Sequence, residues 1–226
     1  MGLNGENSYR RAMVFDVETY AIDGAKDYLE PVAAPSNYVK EDAIKKYVEK
    51  ETESQLGKCA LDPDLCRIVA LGRYTDDHDW VVMLAETEAE ERVVLESFWN
   101  AIGPYPYPRL IGFNVIAFDL PVIIRRSQYL GIPTRPIQMG KYRHPDVDDL
   151  MTILNFDGAI KTHGLRFYAR RFGIEVDDPT QGKDVGALVA EGNWDAVGRH
   201  CESDILTTAK LARRLGILSE QPELVL

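Results

Sequence analysis

Apolar and polar positions alternate along this chain with two different periods. Arg11 to Val17 is a short apolar run, bounded as a buried strand would be. Leu65 to Tyr74 and Asp79 to Ala85 are two more such runs, and Thr75-Asp76-Asp77-His78 between them reads as a hairpin turn. Glu88 to Ile102 changes to helical spacing, with Val93, Val94, Phe98 and Ile102 assigned to one side. Gly103-Pro104 ends it. The Pro104-Tyr105-Pro106-Tyr107-Pro108 segment is expected to be extended, because each proline disfavours helix before it. Arg109 to Phe113 predicts a fourth strand. Phe118 to Leu130 predicts a helix with Pro121 in its first turn and Gly131 just past its end.

From Asp146 onward helical spacing dominates. Helices are expected over Asp148 to Asn155, Leu165 to Phe172, Val185 to Ala190 and Trp194 to Leu215. The last places Val197, Cys201, Ile205, Thr208 and Leu211 at helical intervals. A fifth strand is expected near Ile137 to Tyr142. The order is three strands, helix, strand, helix, then further helices. It predicts an α/β fold of ribonuclease H-like type: a mixed five-stranded sheet, three antiparallel strands then parallel ones, with helices on both faces. Residues 20–61 break the pattern. Ala21 to Asn37 has little periodicity, and Val39 to Leu56 is charged and helical in character, so this stretch reads as an insertion between the first two strands. The 226 residues suit a single domain with a substantial core.

Composition changes little in this picture. Hydrophobic residues are 45% and charged ones 27%, as in globular proteins generally. No apolar run approaches the roughly 18 residues a membrane span needs, and the first residues hold no apolar signal region, so no membrane association and a cytoplasmic location are expected. Cys59, Cys66 and Cys201 are odd in number and widely spaced, which predicts free thiols and no zinc site.

Charge bears on the partner. A net charge of −10 argues against tight, processive nucleic-acid binding. Basic residues nevertheless gather at Arg125-Arg126, at Lys141-Tyr142-Arg143-His144 and from Arg166 to Arg171, which leaves room for a local basic groove.

Three short stretches carry candidate chemistry. In Phe15-Asp16-Val17-Glu18-Thr19 the two acids are two apart on a strand and share a face. Two like charges on an apolar strand are costly unless a cation compensates them, and hard oxygen ligands suit Mg²⁺ or Mn²⁺. The plainer alternative is an acid that caps a turn. In Asn114-Val115-Ile116-Ala117-Phe118-Asp119 the acid opens a helix at the carboxyl edge of a strand, where open α/β sheets bind ligands. Asp119 is otherwise a capping acid. Asn114 can donate a hydrogen bond to a substrate, and Phe118 is either a core aromatic or a ring that stacks on a base. In His200-Cys201-Glu202-Ser203-Asp204 the histidine and the last acid are four apart on one helix face. They are either a surface pair or a metal ligand beside a histidine that orients or deprotonates the attacking water. Together the four acids supply about the charge that two divalent cations require to hold a scissile phosphate.

With these motifs in place, the chain resembles the DEDD (DnaQ-like) superfamily of 3′–5′ exonucleases, closest to stand-alone relatives of the proofreading domain of family-B DNA polymerases. Phe15 to Thr19 is similar to the first exonuclease motif, and Asn114 to Asp119 followed by Leu120-Pro121 to the second. Ala60-Leu61-Asp62-Pro63 leading into Ile68 to Gly72, and Pro35-Ser36-Asn37-Tyr38, also resemble this branch. The likeness spans about residues 11 to 215. It implies Asp16, Glu18, Asp119 and Asp204 as ligands of two Mg²⁺ or Mn²⁺ ions, and release of nucleoside monophosphates from a 3′ end. It implies Asn114 and Phe118 against the single-stranded end and Thr19 and Tyr20 near the terminal nucleotide. The partner implied is single-stranded nucleic acid, DNA favoured over RNA.

The third motif departs from the pattern, which has tyrosine four residues before the last aspartate or histidine five before it. Here histidine stands at the tyrosine spacing. Four residues leave His200 about 40° round the helix from Asp204, whereas five leave about 140°. His200 therefore takes the tyrosine's position. A ribonuclease H-like endonuclease, an RNA-directed exonuclease and an idle nucleic-acid-binding module are the competing readings. Asp148 and Asp149 read as a helix start in preference to acids that support the site, Lys183 as a solvated lysine in preference to a phosphate contact, and Trp194 as core or helix-start packing in preference to a base platform.

Overall fold

The computed structural model describes residues 11–75, 80–139 and 144–219. Strand β1 is Ala12–Ala21, followed by a short 3₁₀ turn (Ala25–Tyr28) and helix α1 (Glu41–Cys59). Strands β2 (Cys66–Thr75) and β3 (Trp80–Leu84) precede α2 (Glu88–Ile102), β4 (Arg109–Gly112) and α3 (Asp119–Tyr129). Then come β5 (Val147–Asp149), α4 (Leu150–Leu154), α5 (Leu165–Arg171), a 3₁₀ turn (Gly182–Asp184), α6 (Val185–Ala190) and α7 (Trp194–Arg214). The five strands form one mixed sheet in the order β3-β2-β1-β4-β5. β1 pairs antiparallel with β2, and β2 with β3. β1 pairs parallel with β4, and β4 with β5. This is the ribonuclease H-like order that the strand pattern predicts.

β1 lies at the centre and divides the core. Met13, Phe15 and Val17 point to one face, where they pack with α2 and α3 residues such as Phe98 and Ile123. Ala12 and Val14 point to the other and join the α5 and α7 side. Alternation along the strand puts Asp16 and Glu18 on that second face, under α7. A register shift between Glu18 and Thr19 makes Thr19 face Ile68 and skips Val69. The backbone N–H of Ile68 is met instead by the Glu91 carboxylate of α2, at 2.8 Å.

Helix α7 approaches β2 closely because β2 offers a glycine. A Cβ on Gly72 would stand 2.8 Å from Ile205 Cγ2 and 2.9 Å from Cys201 Sγ. Gly72→Ala is thus expected to lift α7 off the sheet and to cost about 1–3 kcal/mol, the usual penalty of overpacking. Urea unfolding would read it, and an unchanged midpoint would contradict this packing.

Several expectations are corrected. The fifth strand is Val147–Asp149 and lies outside Ile137 to Tyr142. Residues 137–139 have no strand structure, and 140–142 lie outside the described residues. Val93 is 56% exposed and does not share the buried side of α2, which Glu91, Val94, Leu95, Phe98, Trp99 and Ile102 form. Pro104 to Pro106 bends, with a cis Tyr105–Pro106 bond, and is not extended. Most of the hairpin turn at 75–78 lies outside the described residues. Three of the arginines are committed to acids, while Arg170 and Arg171 are exposed. Arg126 is buried against Glu91, Arg125 pairs with Asp64 at 3.0 Å, and Arg166 pairs with Asp178 at 3.0 Å. Lys141 to Arg143 lie outside the described residues. The three cysteines are buried and free. Among the described residues no helix is long and apolar enough to cross a membrane.

Candidate active site

The cleft opens where β4 stops short of β1. β4 accompanies β1 only as far as Val14. Beyond that point the N–H of Val17 has no parallel strand beside it, and Asp119 Oδ1 accepts its hydrogen at 3.0 Å. Asp119 is the first residue of α3 and is buried. The turn that delivers it is tight. Asn114 adopts a positive φ of 67°, and Gly112 leaves no room for a Cβ, which would stand 2.0 Å from Val115 Cγ1. One carboxylate, Asp149, fastens this turn. It accepts from the N–H of Asn114 (2.9 Å) and Ile116 (3.0 Å), and it also caps α4 through Met151 N–H (3.0 Å).

Asp16 and Glu18 come from β1, Asp119 from α3, and Asp204 with His200 from α7. All five line one cleft of about 510 Å³, together with Asn114 and Phe118. Ligand atoms of Glu18, His200 and Asp204 all lie within 4.8 Å of one another. The charge is costly as it stands. Burial is the first reason that Asp16 and Glu18 hold their protons well above the ordinary carboxylate range; repulsion from Asp119, Glu18 and Asp204 adds to it for Asp16, and from Asp204, Asp119 and Asp178 for Glu18. Burial likewise pushes Asp119 up to about 7, against the hydrogen bond from Val17. Asp204 is raised by burial, although His200 and Arg166 pull it down. Hard carboxylate oxygens, crowded and short of counter-charge, fit divalent cations.

The sign of the pH dependence follows. A carboxyl whose folded pKa is raised stabilises the fold below its unfolded pKa, near 4, and loses that contribution as pH rises through the folded value. For Asp119 the loss is complete above about 7. The metal-free protein is therefore expected to lose Tm between about pH 5 and about pH 8, and saturating Mn²⁺ to remove most of that loss. A metal-free Tm that is flat or rises over this range would contradict the crowded-acid account. Asp178 acts outside this window. Burial raises it, yet hydrogen bonds from His200 and Thr180 outweigh burial and hold it below the usual range.

His200 is 2% exposed. Its Nδ1 stands 2.6 Å from Asp178 Oδ2 and its Nε2 3.5 Å from Glu18 Oε1. Asp178 Oδ2 also receives Arg166 at 3.0 Å, and its Oδ1 accepts the N–H of Thr180 at 2.9 Å. Sequence reasoning weighed Asp149 as a supporting acid but preferred a helix start, and it missed Asp178. Asp149 stood in plain view as a helix-start acid, and the structure keeps that role beside the larger one. Asp178, in Asp177-Asp178-Pro179, carried no signal beyond a turn.

A second hollow of about 980 Å³ shares Val17, Glu18, Phe118 and Gly182 with the cleft. It runs on between the end of β1 and the last turn of α1. Thr19 and Tyr20 line this hollow. The Thr19 hydroxyl is committed to the carbonyl of Ala60 at 2.5 Å, so it fastens α1 to β1. The Tyr20 ring lies under the Arg67 guanidinium, 5.9 Å from its carbon. Lys183 is exposed at the rim.

Comparison with known proteins bears on this arrangement. The sequence model of a family described as "Predicted 3'-5' exonuclease related to the exonuclease domain of PolB" matches residues 61–221. The match begins after β1, so Asp16 and Glu18 lie outside it. No curated protein matches the chain. Among solved structures, the family B DNA polymerase from the hyperthermophilic archaeon Pyrobaculum calidifontis is similar at a TM-score of 0.62 and 20% identity. The likeness covers 91% of this chain but 24% of that polymerase, and at this identity it is a likeness of fold.

Proposed function

Because the chain belongs to the family of predicted 3′–5′ exonucleases related to the exonuclease domain of PolB, we propose that it hydrolyses phosphodiester bonds from the 3′ end of single-stranded or frayed DNA, releasing nucleoside 5′-monophosphates. The observation that carries the reading is the meeting of four carboxylates, from β1, α3 and α7, in one cleft. Asp16, Glu18, Asp119 and Asp204 would hold two Mg²⁺ or Mn²⁺ ions. Such ions supply an activated water and charge for the leaving oxygen. Asn114 presents its amide to the single-stranded end and Phe118 its ring to a base, with Thr19 and Tyr20 near the terminal nucleotide. Thr19 and Tyr20 wall the adjoining hollow, which gives the strand a path past α1 with Lys183 at its rim. His200 belongs to the same constellation. DNA is favoured because the similar solved structure is a DNA polymerase. The chain is read as one ribonuclease H-like domain, with an insertion between β1 and β2 as a cleft wall; because β1 runs on to Ala21, Tyr20 and Ala21 belong to the strand and the insertion starts after them.

The test is product analysis on single-stranded DNA and RNA carrying a 3′ or a 5′ label, with a closed circular DNA beside them. Mononucleotides released at once from the 3′ label, with the circle intact, are the expected result. Cutting of the circle would point to the endonuclease instead, and faster loss of RNA would reverse the substrate preference.

A further inference from the structure

His200 stands where the resemblance would have a tyrosine, and its surroundings differ from what a phenol needs. A neutral imidazole has one N–H and one lone pair. The 2.6 Å contact with Asp178 Oδ2 fixes the N–H at Nδ1, because that carboxylate is held ionised by Arg166 and the Thr180 N–H. The Nε2 lone pair then faces Glu18 Oε1 at 3.5 Å, longer than a hydrogen bond between the two. A lone pair set against carboxylate oxygens is repulsive unless a proton or a metal cation lies between them, and a bound divalent cation displaces the proton. One ring nitrogen of His200 and one oxygen each of Glu18 and Asp204 lie within 4.8 Å of one another, close to the span of two metal–ligand bonds of about 2.1 Å each, and with Nδ1 engaged by Asp178 the nitrogen left for a cation is Nε2. A carboxylate on the far nitrogen of a ligating histidine is the usual support of such a ligand.

We propose that His200 Nε2 is a direct ligand of the cation held by Glu18 and Asp204, with Asp178 as its positioning residue, so that this cation site prefers a first-row transition ion such as Mn²⁺ to Mg²⁺. The preference follows from the imidazole. Mg²⁺ takes oxygen ligands and keeps its waters, whereas nitrogen ligands raise affinity for transition ions. The inference rests on reading the cleft as a divalent-cation site.

Pulsed electron paramagnetic resonance of Mn²⁺ bound to the full chain tests it, because a ligating imidazole couples its ¹⁴N to the ion. The wild type is expected to show this coupling, and His163→Gln, which changes the other histidine lining the cleft, to retain it. His200→Gln should abolish the coupling and weaken Mn²⁺ binding about 10–100-fold, while Mg²⁺ affinity changes far less. Asp178→Asn should keep the coupling and weaken Mn²⁺ binding about tenfold, the lower end of the roughly 10–100-fold range for supporting partners of metal ligands. Bound Mn²⁺ without ¹⁴N coupling in the wild type would overturn the ligand assignment and leave the four-carboxylate site standing. Failure of the wild type to bind Mn²⁺ at all would overturn both. The wild-type spectrum decides the assignment even if a variant does not fold.

Discussion

Asp16→Ala is expected to lower the rate of hydrolysis by at least about a thousandfold while the metal-free protein becomes no less stable. The two halves of this result have the same cause. Asp16 sits beneath α7 on the face of β1 that also carries Glu18, and burial together with Asp119, Glu18 and Asp204 raises its proton affinity. Removing one of four crowded acids relieves repulsion in the folded state only, so the metal-free Tm should hold or rise. A divalent cation contributes several kcal/mol of charge stabilisation during hydrolysis, and each 1.36 kcal/mol is tenfold in rate. Loss of one ligand therefore has a large kinetic effect. Asp119→Asn separates charge from shape. Its amide oxygen can still accept from Val17 N–H, so the open edge of β1 stays capped while the ligand charge is gone. Initial rates in Mn²⁺ and thermal melts in a chelator give both quantities. If activity and Tm fall together in both variants, the acids are part of the fold's own ion-pair network and the catalytic reading is lost.

The sequence carried the architecture where one element had one pattern. α2 ends where helical spacing and Gly103 place its end, α6 spans the residues its spacing marks, and α7 buries the stripe its spacing marks. β5 was hidden because it is three residues long and two of them are acids. It exists through pairing with β4 and through the Arg109–Asp148 ion pair, neither of which has a local signature. Site residues divide in the same way. Asp16 with Glu18, and His200 with Asp204, are legible because the strand and helix periods put each pair on one face. Asp119 is legible as a helix-opening acid. Asp178 is twenty-two residues from His200 and reaches it from a loop, so only the fold reveals the contact. Arg126 shows the converse error. A pair of adjacent arginines looks like a nucleic-acid surface, yet helical geometry turns Arg125 outward to Asp64 and Arg126 inward to Glu91.

That inward pair sets the largest expected loss of stability. Glu91 is fully buried. It accepts Arg126 Nε at 2.8 Å and a second guanidinium nitrogen at 2.6 Å, and the same carboxylate takes the N–H of Ile68. The pair thus binds α2, α3 and β2 at the place where the β1–β2 ladder slips. Arg126→Met keeps the apolar stem but strands a buried carboxylate, and breaking one side of a buried pair costs about 3–5 kcal/mol. Glu91→Gln keeps an acceptor for Ile68 and should cost less. The double variant should cost less than the sum, because it leaves no uncompensated charge. Urea unfolding of the four proteins closes this cycle, and strict additivity would show that the two side chains act independently. The consequence reaches the cleft. Ile68 faces Thr19, next to Glu18, so loosening this end of β2 frees the strand segment that aims Glu18 and fastens α1. Arg126→Met should therefore weaken Mn²⁺ binding as well as the fold, although Arg126 is not among the residues lining the cleft.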